Sequence, residues 1–192
     1  MIIENCNKCQ LLVSSRSRIV NGYGDEQASI MFVGLAPGRN GADITGVPFT
    51  RDPSGVLFQE ALIKAGLSFE RTPKSEKPRL HNVYVTNIVK CNPKGEDGNN
   101  RCPTKTEVIN CYNNFENERS IVNPKIIILL GKAVTENILN IKCINFIKFH
   151  NKPIEKDGII YIPFVHPSYV IRGAYNRKKY LDEFIEIKNH TR

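Results

Sequence analysis

What the chain lacks narrows it first. No apolar run approaches the roughly 18 residues of a membrane-spanning helix, so no membrane partner is expected. The first residues, MIIENCNKC, have neither the basic start nor the long apolar stretch of a secretory signal. The protein is therefore expected to be intracellular, cytoplasmic in a prokaryotic-type cell. There is no internal repeat and no low-complexity tract. Carboxylates are in deficit: 19 Asp and Glu stand against 27 Lys and Arg, a net charge of +8. Such a surplus favours an acidic partner, of which nucleic acid is the commonest; a generally basic protein with no such partner is the plainer reading. With 192 residues, 41% of them hydrophobic, the chain can bury one proper core, so residues 1–192 are expected to form a single domain.

What is present is organised around residues 30–52, IMFVGLAPGRNGADITGVPFTRD. A strand-length apolar run, Ile30 to Val33, empties into a loop holding Gly34, Gly38, Gly41 and Gly46. Open α/β sheets place ligands at such strand ends. The same loop holds Asp43, Phe49 and Asp52, and a carboxylate beside an aromatic ring suits a flat, uncharged ring better than a bare phosphate. Further apolar runs at Val83 to Lys90, Lys125 to Leu130 and Gly158 to Phe164 read as strands. Between them lie helical patterns from Ser54 to Ala65, from Thr104 to about Ile121, and from Lys132 to near Ile141; a last helix is expected from Ser168 to about Lys188. Thr104 with Glu107 reads as a capping box. The stretches 14–24, 68–82 and 92–103 read as loops. Strand and helix alternate four times, which predicts a three-layer α/β/α sandwich around a central four-stranded parallel sheet.

In a parallel sheet the carboxyl ends share one edge. That edge would gather Asp43, Phe49 and Asp52 from the first strand, Asn87 from the second and His166 from the fourth. A carboxylate, an amide, a ring and an imidazole together suit the reading of a planar base and the cleavage of a bond to it. Six cysteines in a reducing compartment point to metal or redox chemistry rather than disulfides. The Cys6-x-x-Cys9 pair could pin the terminus through a metal, and four thiolates suit iron–sulfur or zinc equally. Cys143 has no partner pattern and reads as a buried hydrophobe. Arg172, Arg177, Lys178 and Lys179 form a basic cluster that could hold phosphates, or simply a solvated helix face; the same choice applies to Arg16 and Arg18.

The order of these motifs, over nearly the whole chain, resembles the iron–sulfur uracil-DNA glycosylases, the groups called families 4 and 5 of that superfamily. Gly34-Leu35-Ala36-Pro37 followed by Thr45-Gly46-Val47-Pro48-Phe49-Thr50-Arg51-Asp52 looks like the first motif of family 5; family 4 usually has Glu where this chain has Leu35. Val85-Thr86-Asn87-Ile88-Val89-Lys90-Cys91 and His166-Pro167-Ser168-Tyr169-Val170-Ile171-Arg172 look like family 4. The resemblance implies a monofunctional enzyme that flips uracil, or another deaminated base, out of DNA and hydrolyses its N-glycosidic bond, leaving an abasic site. It implies that Phe49 stacks on the base, Asn87 reads its Watson–Crick edge, and His166 stabilises the leaving anion. Asp52 or Asp43 would act as the catalytic carboxylate, Asp52 ranking first. Gly34, Ala36, Ser168 and Arg172 would complete the substrate site, with an apolar side chain near Tyr169 filling the gap left by the flipped base. It further implies a [4Fe–4S] cluster on Cys6, Cys9, Cys91 and Cys111, built by the N-terminal segment and residues 91–111. The Asn100-Arg101-Cys102-Pro103-Thr104 segment aligns Cys111 with the last ligand and leaves Cys102 as an extra thiol. A monomer acting on uracil-containing DNA is expected. Two other classes compete: a non-catalytic nucleic-acid-binding protein stapled by zinc or iron–sulfur, and a small α/β hydrolase acting on a nucleoside.

Overall fold

In the computed structural model, residues 2–187 are described. A two-residue strand, β1 (Tyr23–Gly24), leads into β2 (Ile30–Gly34), followed by β3 (Val83–Asn87), β4 (Ile126–Leu130), β5 (Ile154–Lys156) and β6 (Ile159–Phe164). They form one sheet in the order β1-β3-β2-β4-β6-β5. The four inner strands are parallel, as their continuous apolar runs require, and every residue of β2, β3 and β4 is buried. The two outer strands are antiparallel additions to the expected four. Their shortness explains why no hydrophobic period announces them: β1 has two residues and β5 three.

Side-chain alternation along each inner strand divides the core in two. Ile30 and Phe32 of β2 face one layer; Met31 and Val33 face the other. On the first face pack α3 (Pro53–Lys64) and, after β6, α6 (Pro167–Ile171) and α7 (Arg177–Ile187). The first layer is aromatic: Phe32 stacks on Phe184 with centroids 5.5 Å apart and meets Phe58 edge-on at 5.2 Å. The second face is covered by α4 (Lys105–Val122) and α5 (Lys132–Leu139), with Leu12 of α1 (Gln10–Ser15) joining its core. Gln10–Ser15, whose last two residues belong to an expected loop, are thus helical, and Leu12 finds a buried site there. No helix among the described residues is long and apolar enough to cross a membrane.

Helix ends follow their local chemistry. Asp52 caps α3, its Oδ1 accepting the Gly55 N–H at 2.7 Å, with Pro53 in the first turn. Thr104 and Glu107 make the expected reciprocal capping box on α4. The expected continuous last helix is instead two. Gly173, at φ +75°, turns the chain after α6, and Asn176 Oδ1 accepts the Lys179 N–H at 2.9 Å to start α7. The expected end of that helix at Lys188 lies outside the described residues.

One ion pair is sealed inside the second layer. Lys90 and Glu118 are both buried, and Lys90 Nζ bonds the Glu118 carboxylate and, at 2.6 Å, Thr86 Oγ1. Glu118 also accepts from the Gly22 N–H at 2.9 Å and from Thr86 Oγ1. The two charges satisfy each other, so removing one strands the other. Lys90→Met should cost about 3–5 kcal/mol in urea unfolding. Adding Glu118→Gln should recover part of that loss, because the remaining carboxylate is neutralised; simple additivity of the two substitutions would show that the pair is not coupled.

Candidate active site

The parallel strands run β3-β2-β4-β6, so the chain leaves β2 for one side through α3 and returns past it to β4 through α4. The crevice at such a reversal, outside the carboxyl ends, is where open α/β sheets bind ligands. A pocket of about 320 Å³ lies there, bordered by Leu35, Ala36, Phe49, Asp52, Asn87 and His166 among others. Residues from three strand ends therefore border one pocket.

Beneath the pocket, Gly34 of β2 stands in register with Asn87 of β3. A Cβ on Gly34 would lie 2.3 Å from Asn87 Oδ1 and 2.7 Å from the Phe49 ring, so glycine is what lets amide and ring meet there. The Asn87 side chain makes no hydrogen bond with any described residue, which leaves its carbonyl and amino group for a ligand. Phe49 sits at φ +55°, a conformation unfavourable for an aromatic residue. Two contacts hold it there. Its ring packs on Phe58 at 4.6 Å, and the adjoining loop is tied by Thr50 Oγ1, which contacts Thr45 Oγ1 at 2.6 Å and donates to the Val47 carbonyl at 2.8 Å.

His166 caps α6, and its Nδ1 accepts the Ser168 N–H at 3.1 Å and lies 2.9 Å from Ser168 Oγ. With Nδ1 accepting, a neutral ring carries its proton on Nε2. Enclosure of the ring, and secondarily the Arg172 cation, pushes its pKa down to about 4. His166 is thus a neutral donor at neutral pH, 6.0 Å centroid to centroid from Phe49.

The two candidate carboxylates differ. Asp52 borders the pocket, and its Oδ2 occupies space beside Gly38 and Gly41 that a Cβ on either would invade, at 2.8 and 2.6 Å. Burial raises its pKa, opposed by the backbone N–H groups of Gly55 and Ser54. Asp43, on the short helix α2 (Ala42–Thr45), is not brought to the pocket wall. It is 1% exposed, takes the Ser17 N–H and Oγ at 2.9 Å each, and pairs with Lys94 at 3.1 Å. Its oxygens are spent on holding three segments together.

Ser168 and Arg172 line the pocket, Ala36 does too, and Gly34 lies under it. A further wall is formed by Asn100, Arg101, Cys102 and Pro103, in a turn-rich stretch that the resemblance ties to the cysteine ligands and not to the pocket. It is fastened by polar contacts that no periodicity reveals: Asn92 Nδ2 donates to the Pro37 carbonyl at 2.6 Å and to Asn100 Oδ1 at 2.8 Å, and the Arg39 N–H meets Asn100 Oδ1 at 3.0 Å. Of the basic cluster, Arg177 pairs with Glu60 and Lys179 with Glu183. Only Arg172 of the cluster reaches the pocket.

Away from this pocket, Cys6, Cys9, Cys91 and Cys111 border one small depression, whereas Cys102 is exposed on the active-site wall and Cys143 is buried elsewhere. No group of three or more His, Cys, Asp or Glu among the described residues gathers at single-ion geometry. N–H donors face three of these four sulfurs: Arg16 on Cys91 at 3.2 Å, the Lys90 backbone on Cys111 at 3.3 Å, Asn110 on Cys9 at 3.4 Å. Arg16 is accordingly committed to a sulfur.

A family model described as the uracil DNA glycosylase superfamily matches residues 21–187. A type-4 uracil-DNA glycosylase of Archaeoglobus fulgidus is 32% identical over 192 aligned residues, covering 96% of this chain and 87% of the relative. A type-4 enzyme of Thermotoga maritima is 33% identical, covering 91% and 82%. A type-5 uracil-DNA glycosylase of Pyrobaculum aerophilum is 32% identical, covering 86% and 79%.

The His166 geometry sets a titration. Its imidazole should remain neutral with the proton on Nε2 down to near pH 5, with a midpoint at about 4, as followed by nitrogen NMR of labelled histidine. Because the folded value lies below the unfolded value of ~6.5, this group's contribution to stability is complete above that pH and is lost as pH falls toward the folded value. A midpoint above 6 would overturn the neutral-donor assignment.

Proposed function

The chain belongs to the uracil DNA glycosylase superfamily, and we propose that it is a monofunctional uracil-DNA glycosylase of DNA repair. The observation that carries this reading is one pocket holding a stacking ring, an unengaged side-chain amide, a neutral N–H donor and a desolvated carboxylate. The base leaves the DNA stack and enters that pocket. Phe49 stacks on it. Asn87 offers Oδ1 to the uracil N3–H and Nδ2 to O4; cytosine, with an acceptor at N3 and a donor at N4, opposes both.

As the bond between C1′ and N1 breaks, its electron pair goes to the base and the sugar becomes cation-like. The His166 Nε2–H donates to the carbonyl oxygen on which that charge collects. A neutral donor suits this task without surrendering a proton. Asp52 orients water toward C1′ and faces the sugar cation; its Oδ1 is held by the Gly55 N–H, leaving Oδ2 for water. The water oxygen bonds to C1′, and its proton passes to solvent through Asp52. Asp43 is assigned a positioning role, since its oxygens hold Ser17 and Lys94.

The four converging thiols fit a [4Fe–4S] cluster held by Cys6, Cys9, Cys91 and Cys111, with N–H groups on three of the four sulfurs, as anionic ligands require. When bound, such a cluster would cross-link the N-terminal segment, the loop after β3 and α4. The reading carries with it a single domain of residues 1–192 acting on uracil-containing DNA as a monomer in the cytoplasm.

Two experiments test it. Cys111→Ser should lose iron and visible absorbance, while Cys102→Ser keeps both; the reverse pattern would transfer the ligand role to Cys102. On uracil-containing duplexes, His166→Ala should slow single-turnover cleavage by on the order of 10²-fold with little change in DNA affinity. Asp52→Asn should do the same, Asn87→Asp should lose uracil selectively, and Asp43→Asn should lower thermal stability more than rate. An Asp52→Asn variant of normal rate would remove the carboxylate from the mechanism.

A further inference from the structure

We propose that a second cavity beside the uracil pocket is a nucleobase subsite, which receives the base of a nucleotide neighbouring the target on the same DNA strand. The proposal rests on the glycosylase reading and extends it. This cavity, of about 530 Å³, lies between the turn after β4, the segment 144–147 and the start of α6. Its wall toward the first pocket is common to both: His166, Ser168 and Arg172 border each. A strand that delivers one base to the first cavity carries the next base one backbone step away, and the shared wall places the second cavity within that step.

The chemistry of the lining matches a base and its phosphate. Ile144 is 90% exposed, Ile147 46% and Tyr169 38%, so large apolar groups face solvent here without a folding reason. Lys132 and Arg172 border the same cavity, and no carboxylate lines it. Arg172 forms no ion pair with any described residue, and Lys132 has only a distant contact with Glu136 at 3.8 Å. Apolar and aromatic surfaces for a base face, set beside cations for the backbone, are the components of single-strand stacking sites. The net charge of +8 agrees with an anionic occupant.

The test uses the full chain and strands in which the 5′ or the 3′ neighbour of uracil is replaced by an abasic tetrahydrofuran. In the unaltered protein, kcat/KM for uracil release should fall by on the order of tenfold when the neighbour on one side lacks its base, and not on the other side. The Ile144→Ser/Ile147→Ser variant changes exposed side chains only. It should show the same fall on the fully based strand and no further fall when that neighbour is abasic. Indifference of the unaltered protein to both neighbours would overturn the subsite, as would a double variant that keeps full sensitivity to the missing base. Failure of the unaltered protein to release uracil from the fully based strand would overturn the glycosylase reading itself, and the subsite with it.

Discussion

The pocket depends on one register: Gly34 opposite Asn87 across the β2–β3 pairing. Parallel pairing brings two strand ends to the same level, and an ordinary side chain at position 34 would drive its Cβ into the amide and the ring it faces. Because that atom is missing, Asn87 and Phe49 converge at the sheet edge. The strained backbone of Phe49 is tolerable only because Phe58 packs on its ring and Thr50 locks its loop from below. Phe58 belongs to the aromatic layer that buries α3 and α7 on the sheet. The site is therefore supported by the same packing that closes the first core.

A second chain of contacts links the cysteine depression to the pocket wall. Arg16 meets Cys91, the next residue Ser17 grips Asp43, and Asp43 pairs with Lys94 in the loop whose far end, Asn100 to Pro103, borders the pocket. On the other side of Cys111, Lys90 gives its backbone N–H to the sulfur and its ammonium to Glu118. The cysteines thus sit where the N-terminal segment, β3 and α4 meet. Arg16, Ser17, Asp43 and Lys94 thus tie the cysteine depression to the loop that carries Asn100, through groups that do not line the pocket themselves.

These relations explain what was legible in the sequence. The inner strands were, because buried parallel strands are written as unbroken runs such as Ile126 to Leu130, and their carboxyl ends then named Asn87 and His166. The capping box at Thr104 was, since its two partners are three residues apart. The edge strands were not, being two and three residues long. The break between α6 and α7 was passed over because apolar residues recur on both sides of it; residues 172–176 separate the two helices, with Gly173 in a left-handed backbone. Asp43 and Asp52 share one loop, and the resemblance placed Asp52 only slightly ahead. Their difference lies in partners far along the chain, Ser17 and Lys94 for one and open pocket for the other, and such partners leave no local mark.

The basic surplus shows a similar gap between composition and placement. Many of the cations are answered within the fold: Arg177 by Glu60, Lys64 by Asp182, Arg101 by Glu107 and Arg119 by Glu116. The exposed pairs among them, such as Lys64 with Asp182, add little stability, but all of them reduce the local positive potential. Arg172 has no such answer and lies beside His166, whose pKa it helps to depress. One unpaired cation therefore serves two ends. It stands open to an anionic ligand at the pocket mouth, and it adds to the burial that is the main reason the neighbouring imidazole stays neutral. A carboxylate paired with Arg172 would weaken both effects at once, and the described structure places none there.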